Sequence, residues 1–198
     1  MNDRIEIIDE ERKLARRVTP PPEEEVWFAL SAPYRREAKA QELLDSKGID
    51  NYVAMHYETV VRRGIKKRVR VPVIHNLVFA HCTRSTIDAV KKGVPYLQFH
   101  TTHKDGKNVP IVVPDGQMEQ FMKVCDTMDS DLHFFGPGEV NLAKGTKVRI
   151  LEGQFKGIEG TFVRVAGVRS RRVVVEVPLV VYVATAYVAP EDLEILSD

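Results

Sequence analysis

From Thr59 to Ile87 the chain carries no acid, yet Arg62, Arg63, Lys66, Lys67, Arg68, Arg70 and Arg84 all lie within that stretch. Guanidinium and ammonium groups clustered without carboxylates attract phosphate, with salt-dependent affinity and little reading of sequence. The same charges also guard an edge strand against pairing with another chain. By composition alone, a nucleic-acid contact and a solvated hairpin both remain open. Other reactive residue types are scattered. His100 and His103 sit near a hairpin end, where alternation does not bring both imidazoles to one site, and no third ligand has recognisable spacing. Cys82 follows His81, and adjacent strand residues point to opposite faces, which disfavours a Cys–His nucleophile. There is no phosphate-binding glycine loop, no nucleophile elbow and no pair of carboxylates at working distance. The expectation is a binding protein, not an enzyme, with no metal and no cofactor.

The composition sets the class. The chain has 198 residues, 43% hydrophobic and 29% charged, with a net charge of +1, so any contact with nucleic acid has to come from a local patch. Cys82 and Cys125 are 43 residues apart, which fits neither a disulfide scaffold nor a zinc site. The longest uncharged apolar stretch, Val177 to Pro190, is 14 residues and contains prolines, short of a membrane span. No signal peptide is evident at the start, and the expected location is cytoplasmic.

The elements that must position these residues fall into two groups. Residues 1–25 read as a charged extension with a short helix at 8–17 and a proline-rich end. Residues 26–126 read as an α+β domain: an antiparallel sheet with helices packed on it. Its expected strands are Val26–Ala32, Ile49–Met55, Val73–Cys82, Tyr96–Thr101 and Ile111–Val113, with a basic hairpin turning near Gly64. Its expected helices are Arg35–Lys47, a short one over Ser85–Lys92 capped by Ser85 or Thr86, and a last one capped by Asp115. In the last helix Met118, Phe121, Met122 and Cys125 follow an i, i+3, i+4, i+7 stripe. Residues 127–141, rich in Asp, Gly and Pro, read as a linker. Residues 142–198 carry twelve valines and turn glycines, the pattern of a small β-barrel.

Within that last part, the run from Lys144 to Thr161 places a strand, then Gly153-Gln-Phe155-Lys-Gly157-Ile158-Glu-Gly160, then a second strand. This run resembles the KOW motif of the NusG family of transcription factors, an SH3-like barrel. The order of the first domain resembles the NusG N-terminal domain: Trp27-Phe28-Ala29-Leu30, a charged helix, a basic hairpin, Val71-Pro72-Val73 leading to Phe79-Ala80, and Ile111-Val112-Val113-Pro114 before the last helix. The N-terminal extension and Val183–Val188 resemble the specialised UpxY and RfaH-type paralogues.

The resemblance implies a monomeric transcription elongation or antitermination factor that binds RNA polymerase and suppresses pausing or termination. It implies that Leu77 and Phe79 form an open socket for the polymerase clamp helices. It places Thr83, Arg84, Ser85 and Thr86 at a gate-loop contact, beside a plainer reading as a helix cap. It places Arg35, Arg36, Lys39 and Lys91, with Arg62, Arg63, Lys66, Lys67 and Arg68, toward non-template or upstream DNA. Phe155 and Ile158 become the exposed KOW contact for ribosomal protein S10 or the termination factor Rho. His75-Asn76-Leu77 departs from the family pattern, putting an aliphatic where an aromatic is usual. The alternative is an RNA-binding or ribosome-associated KOW protein that acts without polymerase.

Overall fold

The computed structural model describes residues 23–196, so the expected helix at 8–17 lies outside the described residues. In chain order the N-terminal domain runs β1 (Val26–Ser31), α1 (Glu37–Ser46), β2 (Asp50–Tyr52), β3 (Met55–Arg62), β4 (Ile65–Pro72), β5 (Leu77–Cys82) and α2 (Arg84–Lys92). It continues with β6 (Gln98–Phe99), β7 (Thr101–Lys104), β8 (Lys107–Pro110), β9 (Val112–Val113) and α3 (Asp115–Asp126). Five strands form one antiparallel sheet in the order β2-β5-β1-β6, with β9 also on β1.

Strands β1 and β5 are apolar on both faces because both faces are covered. On one face Phe28, Leu30, Val78, Ala80 and Cys82 share a core with Ala40 and Leu44 of α1 and Ile87 of α2. On the other, Ala29, Leu77 and Phe79 share a core with Met118, Phe121, Val124 and Cys125 of α3. The Phe79 and Phe121 rings meet edge to face with centroids 5.7 Å apart. The strand expected over Tyr96–Thr101 is split: β6 ends at Phe99, and the chain leaves the sheet edge as the two-stranded ribbon β7–β8. Helix α2 is capped by Thr83, not by Ser85 or Thr86; the Thr83 hydroxyl accepts from the Thr86 amide at 3.2 Å. Asp115 is the first residue of α3 and makes no cap hydrogen bond, but its charge suits the positive end of the helix dipole.

Part of the stretch read as linker is a strand. β10 (His133–Phe135) pairs with β14 (Val181–Ala184). The remaining strands are β11 (Thr146–Ile150), β12 (Glu159–Arg164), β13 (Arg171–Val177) and β15 (Leu193–Ile195). They form a six-stranded antiparallel sheet in the order β10-β14-β13-β12-β11-β15. Among the described residues no ladder joins β10 to β15, so the expected closed barrel is not present; both edge strands are only three residues long. Two glycines are required where the loop runs into β12, one in the loop and one in the strand. Gly157 has φ +82, and a Cβ on Gly160 would lie 2.6 Å from the Val174 carbonyl oxygen of the facing strand.

Helix α3 also packs on β13 and β14, so a single core continues from Leu77 and Phe79 through α3 to Val148, Ile150, Phe155, Ile158 and Val173. Three polar contacts reinforce this junction. The Glu159 amide donates to the Gln120 side chain at 3.1 Å, the Gln154 amide group to the Asp129 carboxylate at 2.5 Å, and Arg172 pairs with Asp131 at 2.7 Å.

Candidate nucleic-acid interface

The acid-free run makes up most of β3–β4, an eight-pair antiparallel ribbon that stands apart from the main sheet and whose one acid, Glu58, lies away from the tip opposite Val69. Arg63 and Gly64 close it in a two-residue turn with φ of 51° and 78°, the left-handed geometry whose twist matches the strands. Register and alternation divide its side chains. Lys66, Arg68 and Arg70 share one face with Tyr57, Thr59 and Val61; Arg62 and Lys67 share the other with Val60, Ile65 and Val69. The Arg68 guanidinium lies 3.9 Å from the Tyr57 ring centroid, a cation–π contact that holds the charge at the surface. Among the described residues none of the ribbon's cations has a carboxylate partner. The structure therefore brings Arg62, Arg63, Lys66, Lys67 and Arg68 together at one uncompensated tip.

The helix cations divide into two places. Arg36 lies over both Tyr34 and Tyr96, at 5.5 and 5.0 Å, and Lys39 lies 5.7 Å over Tyr96. Arg84 and Lys91 lie over Phe99, at 4.6 and 3.4 Å. Burial against that ring holds the Lys91 ammonium below its ordinary pKa. Arg35 is apart from these, lining a cleft with Glu37, His56, Glu58 and His75. The hydroxyls of the Thr83–Thr86 segment are turned on one another: Thr83 Oγ1 is 3.1 Å from Ser85 Oγ and 2.8 Å from Thr86 Oγ1. Arg84 pairs with Asp88 at 2.6 Å. The Ser85 amide donates to Glu23 at 2.8 Å, which lowers that carboxyl's pKa.

Two expectations about exposure are corrected. Leu77 and Phe79 are 5% and 1% exposed, because α3 and the C-terminal sheet beyond it close the face that was expected to stay open. Phe155 and Ile158 are also buried, within the same core, so the loop offers no apolar contact to solvent there. The thiols are inert: burial raises Cys82 to about 11 and pushes Cys125 up as well. Burial lowers the His100 pKa, His103 bonds Asn108 at 3.3 Å, and no three potential metal ligands cluster among the described residues.

Sequence reasoning missed two groups. Glu37 is 1% exposed and accepts the Asn76 amide at 2.6 Å, with His75 at 3.9 Å, so it ties the start of α1 to the turn before β5. A Glu in a charged helix gives no sign of this. Arg172 is buried at 6% exposure with Asp131 as its ion partner. Here the run of valines around it was the available signal, since a lone Arg between apolar neighbours needs a counter-ion.

Residues 25–122 match the family model described as transcription termination factor NusG. Those residues form a domain of the NusG family. Members of that family are non-enzymatic transcription elongation and termination factors that generally bind RNA polymerase. Among solved structures the chain is similar to Thermotoga maritima NusG, studied for the interaction of its domains. The identity is 16% and the TM-score 0.40, over 88% of this chain and 98% of that one. No curated protein matches the chain. No helix among the described residues is long and apolar enough to cross a membrane.

Proposed function

We propose that this protein is a NusG-like elongation or antitermination factor of the specialised UpxY and RfaH type. Its N-terminal domain binds RNA polymerase and lays the β3–β4 ribbon on nucleic acid of the elongation complex, and its C-terminal KOW domain recruits a second partner such as ribosomal protein S10 or Rho. The observation that carries this reading is the acid-free, cation-dense ribbon tip on a NusG domain. Its mechanism is differential binding: a factor that prefers the unpaused polymerase shifts the population by its preference for that state. A preference of about 1.4 kcal/mol changes the ratio tenfold. Clamp binding at Leu77 and Phe79 requires α3, and with it the C-terminal sheet beyond, to move off that face, because α3 closes it here.

The test is retention of core RNA polymerase by the full chain, with and without nuclease. Polymerase retained after nuclease is the expected result. Recovery of ribosomes or RNA alone would instead establish a KOW protein acting without polymerase. Replacing Arg62, Arg63, Lys66, Lys67 and Arg68 by Ala is expected to weaken association with the elongation complex and flatten its salt dependence, because fewer phosphates are neutralised. An unchanged salt slope would leave the ribbon as a charged, self-protecting edge.

A further inference from the structure

The ribbon β7–β8 leaves the edge of the main sheet just after β6. Its tip, Asp105 and Gly106, has φ of 50° and 75°, the same two-residue left-handed turn that closes β3–β4. A turn this short holds the flanking pair in register, and that pair is Lys104 opposite Lys107. Like charges directly opposite each other on a ribbon repel, and folding alone gives no reason to keep them there. Among the described residues neither lysine has an ion-pair partner, and the single acid of the ribbon, Asp105, sits in the turn itself. Both lysines are exposed, as are His103 and Asn108 on the opposite face.

The base of the ribbon joins other unneutralised charge. Phe99, the residue before the chain departs, carries Arg84 and Lys91 on its ring. Tyr96, three residues earlier, carries Arg36 and Lys39. Aromatic seats hold these cations at fixed places along the β6 edge. Of the four, only Arg84 has an ion-pair partner among the described residues. Cationic charge thus continues from Tyr96 through Phe99 to the β7–β8 tip, on the opposite edge of the sheet from β2, which leads into β3–β4.

We propose that β7–β8 is a second phosphate-binding arm, with Lys104 and Lys107 as its contacts to a nucleic-acid backbone. It deepens the proposed function and rests on the part of that reading in which this domain touches nucleic acid. The cross-strand lysine pair is the device: a bound phosphate between or beside the two ammonium groups turns their repulsion into shared attraction. The arm reads charge and not base identity, since backbone contacts position a protein without specifying sequence.

The experiment uses the full chain and three fluorescent probes of one sequence: a DNA duplex, a single DNA strand and a single RNA strand. Affinity is measured across salt for the unaltered protein, K104A/K107A, K104R/K107R and the five-residue β3–β4 variant. For K104A/K107A the slope of log affinity against log salt is expected to fall by about 2 on duplex DNA, or about 1.4 on a single strand, for two lost phosphate contacts. The arginine variant is expected to keep the slope, and all variants should melt as the unaltered protein does. The probe that shows the change identifies the source of the phosphate. An unchanged slope on all three probes, with the β3–β4 variant lowering it, overturns the second arm and leaves the first standing. If neither variant lowers the slope, the nucleic-acid reading itself falls.

Discussion

The two faces of the N-terminal sheet are equally buried and differ in what buries them. Phe28, Leu30, Val78, Ala80 and Cys82 are covered by α1 and α2, elements of their own domain. Ala29, Leu77 and Phe79 are covered by α3, which itself lies under the C-terminal sheet. A change on the first face acts on one domain's folding. A change on the second acts on folding and on the contact between domains together. Burial of a strand therefore does not decide whether a residue belongs to a core or to an interface; the identity of the covering element decides it.

The largest effect should come from truncating each face in turn. Phe79→Ala removes a ring that is 1% exposed and packed edge to face on Phe121, and is expected to cost about 3–5 kcal/mol in urea unfolding. Leu30→Ala and Leu77→Ala are expected to cost about 2–5 kcal/mol each. The faces separate in a second readout, the hydrogen exchange of β13. Phe79→Ala and Leu77→Ala should speed exchange there at conditions where the N-terminal domain is still folded, and Leu30→Ala should not. Equal effects of the three on β13 would erase the distinction between the faces.

The first face was legible in the sequence. Alternating Val78, Ala80 and Cys82, with Ala40 and Leu44 one turn apart on a helix, name both partners of that core. The second was only half legible. The stripe Met118, Phe121, Met122, Cys125 identifies the side of α3 that meets the sheet, and the structure buries Met118, Phe121 and Cys125 there. Gln117, Gln120 and Val124 form another stripe, at i, i+3 and i+7. Val124 is fully buried, and the two glutamines line a cleft with Lys147, Glu159 and Val174 of the C-terminal sheet. Two polar residues of three read as solvent, so periodicity gave no sign of a covered side. The same blindness explains Ile158: a loop position tells nothing of which element lies across from it. The basic ribbon was legible because its signal is composition and a turn glycine, both local; the lysine pair of β7–β8 needed the register.

The next effect in size concerns the connecting segment. Arg172 is almost wholly buried, and Asp131 is the carboxylate beside it, at 2.7 Å in a contact that is short but poorly aligned as a hydrogen bond. Burial works against the Asp131 charge, but the Arg172 guanidinium outweighs it and holds the carboxyl below its ordinary 3.8. A group depressed in the folded state contributes stability above its unfolded value and loses it as pH falls through the folded value. Stability should therefore begin to drop below about pH 4 on this account. Asp131→Asn should remove that acid step and cost about 1–2 kcal/mol at neutral pH, less than a fully buried pair because the carboxylate is half exposed. Denaturant titrations from pH 3 to 7 measure both; an acid limb unchanged by the substitution would mean Arg172 is not held by this partner.

The smallest effect is the most local, and it tests the domain contact without disturbing either core. The Glu159 amide donates to the Gln120 side chain across the junction at 3.1 Å. Gln120→Ala deletes the acceptor and leaves Met118, Phe121 and Val124 in place. A single intramolecular hydrogen bond contributes about 0.5–1.5 kcal/mol, so exchange at the Glu159 amide should quicken roughly two- to twelvefold. The amides of β1 and β5 should keep their protection, because the sheet side of α3 is untouched. Protection of Glu159 that survives the substitution would mean this amide is shielded from water by the C-terminal sheet alone, and that the polar stripe of α3 lies beside the second domain without binding it.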